Sequence, residues 1–202
     1  PVPMDEHGLQ TEALAELLRA LPADQRPKLL YTVPNFSNPR GTLLSAQRRQ
    51  ALVELASTHG FWVVEDDPYG ELCFDAADGS TPPMPTALRT LGERLGAGVN
   101  PVIYLSSLSK TVAPALRVGW MLADAELLRR CTIAKQTVDL CTSPLAQMVA
   151  AAYLQSGRYP ATVQRARAEY QRRMQALVQG IEGRLDGLVR CAPPAGGMFV
   201  WA

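Results

Sequence analysis

The sequence predicts an α/β fold in which a mostly parallel sheet is covered by helices. Short apolar, β-branched and aromatic runs alternate with segments of helical period along the 202 residues, which is typical of βαβ units. Hydrophobic residues make up 47% of the chain and charged residues 19%, a balance that excludes disorder as the main state. The predicted strands lie at 28–33, 61–65, 102–106 and 118–122.

Local capping signals predict the helix between the first two strands. Ser45 is a good N-cap residue, and Leu52, Leu55 and Ala56 then fall on one face of a helix. Gly60 can end that helix in a left-handed conformation. Strand, helix and strand together make a βαβ unit of the usual size.

The second half of the chain is predicted to be mainly helical. Residues 75–101 are rich in Pro, Gly, Ser and Thr and form a surface excursion with one short helix at 88–95. Further helices are expected after Asp124, after Ser143 and from Pro160, and strands at 188–191 and 198–201. In the last helix an apolar face that includes Val163 and Leu177 is expected to be buried. This pattern divides the chain into a large domain at 1–157 and, at 158–202, a connecting helix with the start of a second domain.

Charge and composition exclude several classes of protein. Lys plus Arg number 20 against 19 for Asp plus Glu, and no block of like charge predicts a nucleic-acid or membrane partner. No apolar run reaches the roughly 18 residues of a membrane helix, and residues 1–10, which include Asp5 and Glu6, do not resemble a signal sequence. The four cysteines lack metal-ligand spacing, so we expect reduced thiols, no metal site and a cytoplasmic protein. The chain does not start with Met, and we expect it to be the middle of a longer protein.

Three polar motifs follow three successive predicted strands. Each motif alone is more often turn or surface chemistry than a functional site. Together they are informative, because ligands of open α/β sheets bind at the carboxyl ends of the strands. The motifs are Pro34-Asn-Phe-Ser-Asn-Pro39 with Arg40 and Gly41, Glu65-Asp-Asp-Pro-Tyr-Gly-Glu71, and Ser109-Lys-Thr-Val-Ala-Pro-Ala-Leu-Arg117.

The order of these motifs resembles the fold type I pyridoxal-phosphate enzymes of the class I/II aminotransferase group. The amino-acid sequences of the three motifs are most similar to the 2-aminoadipate aminotransferase-like branch, and the resemblance runs from about residue 2 to residue 201. It implies the three-layer, mostly parallel sheet of the aspartate aminotransferase-like large domain, followed by the start of a smaller α+β domain. It also implies a homodimer.

The resemblance assigns roles to four residues near the cofactor ring. Lys110 forms a Schiff base with pyridoxal 5′-phosphate and moves a proton between the substrate Cα and C4′. Since a free lysine has a pKa of about 10.4, the site must lower that value or hold the amine as an imine. Asp66 pairs with the pyridine nitrogen, while Asn38 and Tyr69 hydrogen-bond the phenolic oxygen. Strand alternation and the Asp-x-x-Tyr spacing both select Asp66 over Asp67.

The resemblance also implies a phosphate site and marks one departure. Ser107, Ser109 and Arg117 hold the phosphate, with the arginine supplying a permanent charge. The Asn38–Pro39 bond is expected to be cis, as in the family. Arg40 departs from the pattern, because the family usually has threonine or a small residue there.

The resemblance implies transfer of an amino group between an amino acid and a 2-oxo acid. One alternative is the aminotransferase-like sensing domain of a bacterial transcription regulator. The residues Asn35-Phe-Ser-Asn and Asp67-Pro-Tyr favour the enzyme, because the regulator branch more often has His-Gln and Asp-Tyr-Asp at these positions. Another alternative is a lyase that uses the same cofactor and fold.

Overall fold

The computed structural model describes residues 1–96, 98–185 and 187–202. The strands are β1 Met4–Asp5, β2 Gly8–Leu9, β3 Leu29–Thr32, β4 Trp62–Asp66, β5 Val102–Ser107 and β6 Gly119–Leu122. The helices are α1 Thr11–Ala20, α2 Ala46–His59, α3 Leu88–Leu95, α4 Ala125–Asp139, α5 Pro144–Gln155 and α6 Tyr159–Arg184. Short 3₁₀ turns lie at Ala23–Gln25 and Pro114–Leu116.

A four-stranded sheet in the order β3-β4-β5-β6 forms the centre of the fold. The first three strands are parallel, and β6 pairs antiparallel with β5. Thr32 pairs with Glu65, and Glu65 pairs with Tyr104, so β3, β4 and β5 end at the same edge. The predicted α/β class with a mostly parallel sheet is therefore confirmed, and each predicted strand of this sheet is present within one residue of its expected ends.

The two faces of the sheet differ sharply in burial. One face packs against α1, α2 and α3 around residues such as Leu30, Val63 and Val102, which are at most 8% exposed. The opposite face carries exposed apolar side chains from β3 and β6, namely Leu29, Tyr31, Trp120 and Leu122. Alternation along β4 places Val63 and Glu65 on the packed face, and Val64 and Asp66 on the open one.

Helix α2 begins and ends where its capping residues predict. The Ser45 hydroxyl accepts a hydrogen bond from the Arg48 N–H at 3.4 Å, and Gly60 ends the helix at φ 71°. Leu52 and Ala56 are buried, as expected for the face turned to the sheet. The expected helices after Asp124, Ser143 and near Pro160 are also present as α4, α5 and α6.

Helix α3 is capped by a residue from another element. Its N-cap residue, Ala87, has no side chain that can accept from the first backbone N–H groups. The fully buried carboxylate of Glu65 replaces it, accepting from the N–H of Leu88 at 2.9 Å and of Arg89 at 2.8 Å. Burial raises the pKa of Glu65, while these two hydrogen bonds act in the opposite direction. The carboxylate therefore joins β4 to the start of α3.

Helix α6 has 26 residues and is buried over only part of its predicted face. Ala166 and Tyr170 pack against a small cluster that contains Tyr69, and Val163 and Val178 are buried. The expectation that Leu177 is buried is wrong, because it is 53% exposed and Val178 takes the inward position instead. Among the residues that the structure describes, no helix is both long and apolar enough to cross a bilayer.

The strands expected at 188–191 and 198–201 are not formed. A strand needs a neighbour for its backbone hydrogen bonds, and no strand of the described ranges pairs with either segment. The C-terminal segment instead joins the core through an isolated bridge between Cys73 and Gly196. Around that bridge, the Phe74 N–H donates to the Ala195 carbonyl, and the Gly197 N–H donates to the Leu72 carbonyl, both at 2.9 Å.

Candidate active site

The loop after β3 is a tight turn that presents Asn38 at its tip. Ser37 closes the turn, since its N–H donates to the Thr42 carbonyl at 3.0 Å and its hydroxyl lies 2.7 Å from the Thr42 hydroxyl. Phe36 anchors the loop from below, being fully buried at φ 49°. Asn38 is exposed, and the Asn38–Pro39 bond is cis as predicted.

Asp66 lies at the end of β4 on the open face of the sheet, as the alternation predicts. Its Oδ2 accepts a hydrogen bond from the Tyr31 hydroxyl at 2.5 Å. Although the side chain is exposed as a whole, partial desolvation of its phenol raises the pKa of Tyr31 to about 12, with a further contribution from the Asp66 carboxylate, so the phenol is a donor at neutral pH. Tyr31 was missed by the sequence analysis, although its register opposite Val64 places it on the same face as Asp66.

Asp67 differs from Asp66 because both of its carboxylate oxygens accept hydrogen bonds within the protein, whereas the bond described for Asp66 involves Oδ2 alone. Oδ1 accepts from the Asn35 amide at 2.8 Å, and Oδ2 accepts from the Tyr104 hydroxyl at 3.2 Å. A methyl group at Gly70 would lie 2.5 Å from the same carboxylate, so the turn after β4 closes tightly over it. Both acids are partly buried, and among the described hydrogen bonds Asp66 is the one that keeps a carboxylate oxygen without a partner.

Tyr69 follows in the same turn and is only 5% exposed. Burial raises the pKa of its phenol, the charge of Asp66 adds to the increase, and the side chain of Asn38 acts against it. The ring packs edge-on against Phe199, with centroids 5.6 Å apart and an interplanar angle of 89°. Asn38, Asp66 and Tyr69 are therefore brought together from the ends of two adjacent strands.

Lys110 and the two predicted phosphate serines lie at the end of β5. Asp66 pairs with Leu105, so Ser107 lies two residues further along the same edge of the sheet. The Ser107 hydroxyl accepts from the Ser109 N–H at 3.3 Å, which folds the chain into the turn that carries Lys110. All three of these polar residues are partly buried rather than fully solvated.

Arg117 lies beside this turn in the backbone but not through its side chain. Ser107 pairs with Gly119, and the Leu108 N–H donates to the Val118 carbonyl at 3.1 Å. Arg117 itself has φ 54° and is exposed, and its Nη1 donates to the Pro114 carbonyl at 3.4 Å. The predicted residues Ser107, Ser109 and Arg117 therefore lie near one another in the backbone. Among the hydrogen bonds described, none joins the Arg117 side chain to either serine.

Arg40 is held at the rim of the site by the C-terminal segment. Its Cζ lies 5.4 Å from the centroid of the Trp201 ring, within the range of a cation–π contact. Next to it, Gly41 leaves room for the backbone, because a methyl group there would approach the Phe199 carbonyl to 2.9 Å. Arg40 also lines a cavity of about 450 Å³ together with Tyr31 and Asn38.

Comparison with known proteins places this geometry in a family. The chain is 36% identical over 202 residues to aromatic-amino-acid aminotransferase 1 of Thermococcus litoralis, and it covers 46% of that protein. The crystal structure of LysN, the alpha-aminoadipate aminotransferase of Thermus thermophilus in complex with N-(5′-phosphopyridoxyl)-L-leucine, has a TM-score of 0.87 and 36% identity. This chain aligns over 99% of its own length and 48% of that structure. An uncharacterized HTH-type transcriptional regulator of Bacillus subtilis, YisV, is 32% identical over 200 residues, which are 99% of this chain and 38% of the regulator.

The chain thus spans less than half the length of each of these relatives. The family model described as aminotransferase class I and II matches it from residue 1 to residue 202. The order of strands, the three polar turns and these similarities agree with one another. The chain belongs to the class I and II aminotransferase family.

Proposed function

We propose that the protein is a pyridoxal-phosphate-dependent aminotransferase that moves an amino group between an amino acid and a 2-oxo acid. The observation that carries this proposal is the meeting of Asn38, Asp66 and Tyr69 at the sheet edge where β5 leads into Lys110. Two aminotransferases, those of Thermococcus litoralis and Thermus thermophilus, support the enzyme over the regulator, because each is 36% identical to the chain and YisV is 32% identical.

The donors and acceptors at this edge fit the cofactor in chemical type. A carboxylate suits a protonated ring nitrogen, an amide and a phenol suit a phenolic oxygen, and hydroxyls with a guanidinium suit a phosphate. An amine is also present to bond the aldehyde carbon. When bound, pyridoxal phosphate supplies an electron sink for the bonds around the substrate Cα.

Asp66 is proposed to keep a proton on the ring nitrogen. Tyr31 occupies its Oδ2, so Oδ1 is the oxygen that we assign to that nitrogen. Removing a partly buried counter-charge leaves its partner unpaired and is costly, which makes Asp66 the most sensitive of the ring contacts. Asn38 and Tyr69 are proposed to bind the phenolic oxygen, and the raised pKa of Tyr69 keeps its phenol protonated as a donor.

Ser107, Ser109 and Arg117 are proposed to bind the phosphate. The hydroxyls lie in the turn before Lys110, and Arg117 lies across the β5–β6 pair from them. The side chain of Arg117 is exposed and must leave the Pro114 carbonyl to reach an anion between the two serines. This arrangement anchors one end of the ligand and leaves the Lys110 Nζ to hold and move a proton at the other.

Three broader features complete the proposal. We propose that residues 1–157 belong to the cofactor-binding domain and that 158–202 connect it to a smaller domain, supported by the length of α6. We also propose a cytoplasmic homodimer with a biosynthetic role. The relatives are named for aromatic amino acids and for aminoadipate, and the substrate class that we propose is an amino acid together with a 2-oxo acid.

The test is to locate the cofactor after chemical reduction. The full-length protein is incubated with pyridoxal phosphate, treated with borohydride and mapped by mass spectrometry. We expect the adduct on Lys110 alone among the three lysines of this chain, since Lys28 precedes β3 and Lys135 is ion-paired with Asp139 on α4.

Lys135→Ala is the matched control, and it should leave both the adduct and the amino-transfer activity unchanged. An adduct on Lys135, or none on the wild-type protein, would contradict the assignment. Incubating the loaded protein with a panel of amino acids then separates the alternatives. A transaminase yields 2-oxo acids and the aminated cofactor, and a lyase yields elimination products. A sensing domain yields neither set of products.

A further inference from the structure

We propose that a buried chain of hydrogen bonds from Arg49 through Asn35 to Asp67 positions the cofactor-facing residues Asp66 and Asn38. This inference rests on the proposed function, because it concerns the same site. It assigns a role to three residues that do not face the ligand themselves. They are positioning residues rather than catalytic ones.

The chain of hydrogen bonds begins inside helix α2. Arg49 is fully buried, and its Nε donates to the Leu44 carbonyl at 2.9 Å. Its Nη2 donates to the Pro34 carbonyl at 3.2 Å and to the Asn35 Oδ1 at 2.5 Å. One guanidinium thus holds both ends of the loop that carries Asn38.

Asn35 transmits this anchor to the next strand. Its oxygen faces the arginine and its Nδ2 donates to Asp67 Oδ1 at 2.8 Å, so the amide can take only one orientation. Asp67 is fixed from its other sides as well. Its N–H donates to the Leu105 carbonyl at 2.8 Å, and its carbonyl accepts from the Ser106 hydroxyl at 2.7 Å.

The charges favour a geometric role over a purely stabilising one. Burial lowers the pKa of Arg49, and the negative charges of Glu65 and Asp67 only oppose that shift. Within the described residues its Nη1 is buried without a hydrogen-bond partner. Burying an incompletely paired cation carries a desolvation penalty, so Arg49 is a poor means of stabilising the fold. Its three hydrogen bonds, to the Leu44 carbonyl, the Pro34 carbonyl and the Asn35 side chain, however, fix the position of the loop after β3.

The consequence falls on the two neighbouring functional residues. Asp66 precedes Asp67 in the chain, and Asn38 follows Asn35 within one tight turn. When Asn35 and Asp67 are linked, the loop after β3 and the end of β4 cannot move independently. The distance between Asp66, the proposed partner of the ring nitrogen, and Asn38, the proposed partner of the ring oxygen, is then set by the buried link between Asn35 and Asp67.

An isosteric exchange tests the chain of hydrogen bonds. Asn35→Asp places two carboxylates face to face and removes the donor between them. Asp67→Asn is milder, because an amide can still accept from Asn35 while the Tyr104 hydroxyl turns to accept. The double variant N35D/D67N restores every bond. The new amide at 67 donates to the new carboxylate at 35, which still accepts from Arg49, and the amide oxygen accepts from Tyr104.

Three measurements on the full-length protein give the result. The first is the dissociation constant for pyridoxal phosphate, the second the pH midpoint of the absorbance of the cofactor bound to Lys110, and the third the unfolding free energy of the cofactor-free protein. We expect N35D to weaken binding by at least about tenfold, equivalent to about 1.4 kcal/mol, and to move the absorbance midpoint. N35D/D67N should recover most of both changes. Arg49→Met should resemble N35D, whereas the adjacent Arg48→Met, which removes the ion pair to Asp5 and the hydrogen bond to the Gly8 carbonyl, should change neither cofactor property.

The outcomes separate this inference from the proposed function. If the wild type binds the cofactor and N35D binds it equally well with the same absorbance midpoint, the positioning role is refuted. It is also refuted if the double variant recovers unfolding free energy but not cofactor binding. A wild-type protein that binds no cofactor refutes the proposed function and the positioning role with it.

Discussion

Gly196 is the position where one added methyl group should damage the structure most directly. An alanine Cβ there would lie 2.5 Å from the Leu72 carbonyl oxygen and 2.5 Å from Cζ of the buried Phe36 ring. The first contact is with backbone and the second with a ring that has no free space, so the C-terminal segment must shift. Overpacking costs about 1 to 3 kcal/mol. Losing the edge contact between Tyr69 and Phe199 adds about 0.5 to 1.5 kcal/mol.

We therefore expect Gly196→Ala to lower the unfolding free energy by about 1.5 to 4.5 kcal/mol, measured by urea denaturation of the full-length protein. Gly180→Ala is the matched control. Gly180 lies within α6, and nothing would lie within 4 Å of its added Cβ. The same substitution should there raise stability by about 0.5 to 1 kcal/mol. A Gly196→Ala protein as stable as the wild type would refute the packing argument.

Three further predictions follow from single carboxylates. Glu65→Ala leaves two helix N–H groups without an acceptor and should cost about 1 to 3 kcal/mol of unfolding free energy. Because burial raises the pKa of Glu65, this loss should be largest below about pH 4.5 and shrink as the pH rises, and a loss that grows with pH would contradict the cause assigned. Arg48 holds the pKa of Asp5 well below its ordinary 3.8. In thermal denaturation, Asp5→Asn should therefore be less stable than the wild type at neutral pH, and this difference should disappear as the pH falls below 3.8. An equal difference at pH 2 and pH 7 would exclude the ion pair as its source. Asp66→Ala should abolish amino transfer while borohydride still traps the cofactor on Lys110, and full activity in that variant would move the ring-nitrogen role elsewhere.

Features set by neighbours in the sequence could be predicted well. Ser45 and Gly60 mark the ends of α2 because a cap acts within one turn of the chain. The strand ends were predictable because apolar runs stop where polar turns begin. The choice of Asp66 over Asp67 followed from the two-residue period of a strand, and the structure gives the two side chains different surroundings.

Features set by distant neighbours could not be predicted. Glu65 caps a helix 23 residues away, and nothing local to Ala87 indicates which acceptor serves its N–H groups. Arg49 reads as a surface residue on a helix, yet it is fully buried because its partners come from the preceding loop. The segments at 188–191 and 198–201 have strand-like composition, but composition supplies no partner to pair with.

The link between Leu72–Phe74 and the C-terminal segment has a dynamic consequence. The amides of Phe74 and Gly197 are each protected by a carbonyl from the other segment, so neither can exchange with solvent while the two stay paired. Because Tyr69 lies in the turn just before this pairing and packs on Phe199, the same opening frees its ring. Release of the C-terminal segment and loosening of the phenol proposed to bind the cofactor oxygen are then a single local unfolding event.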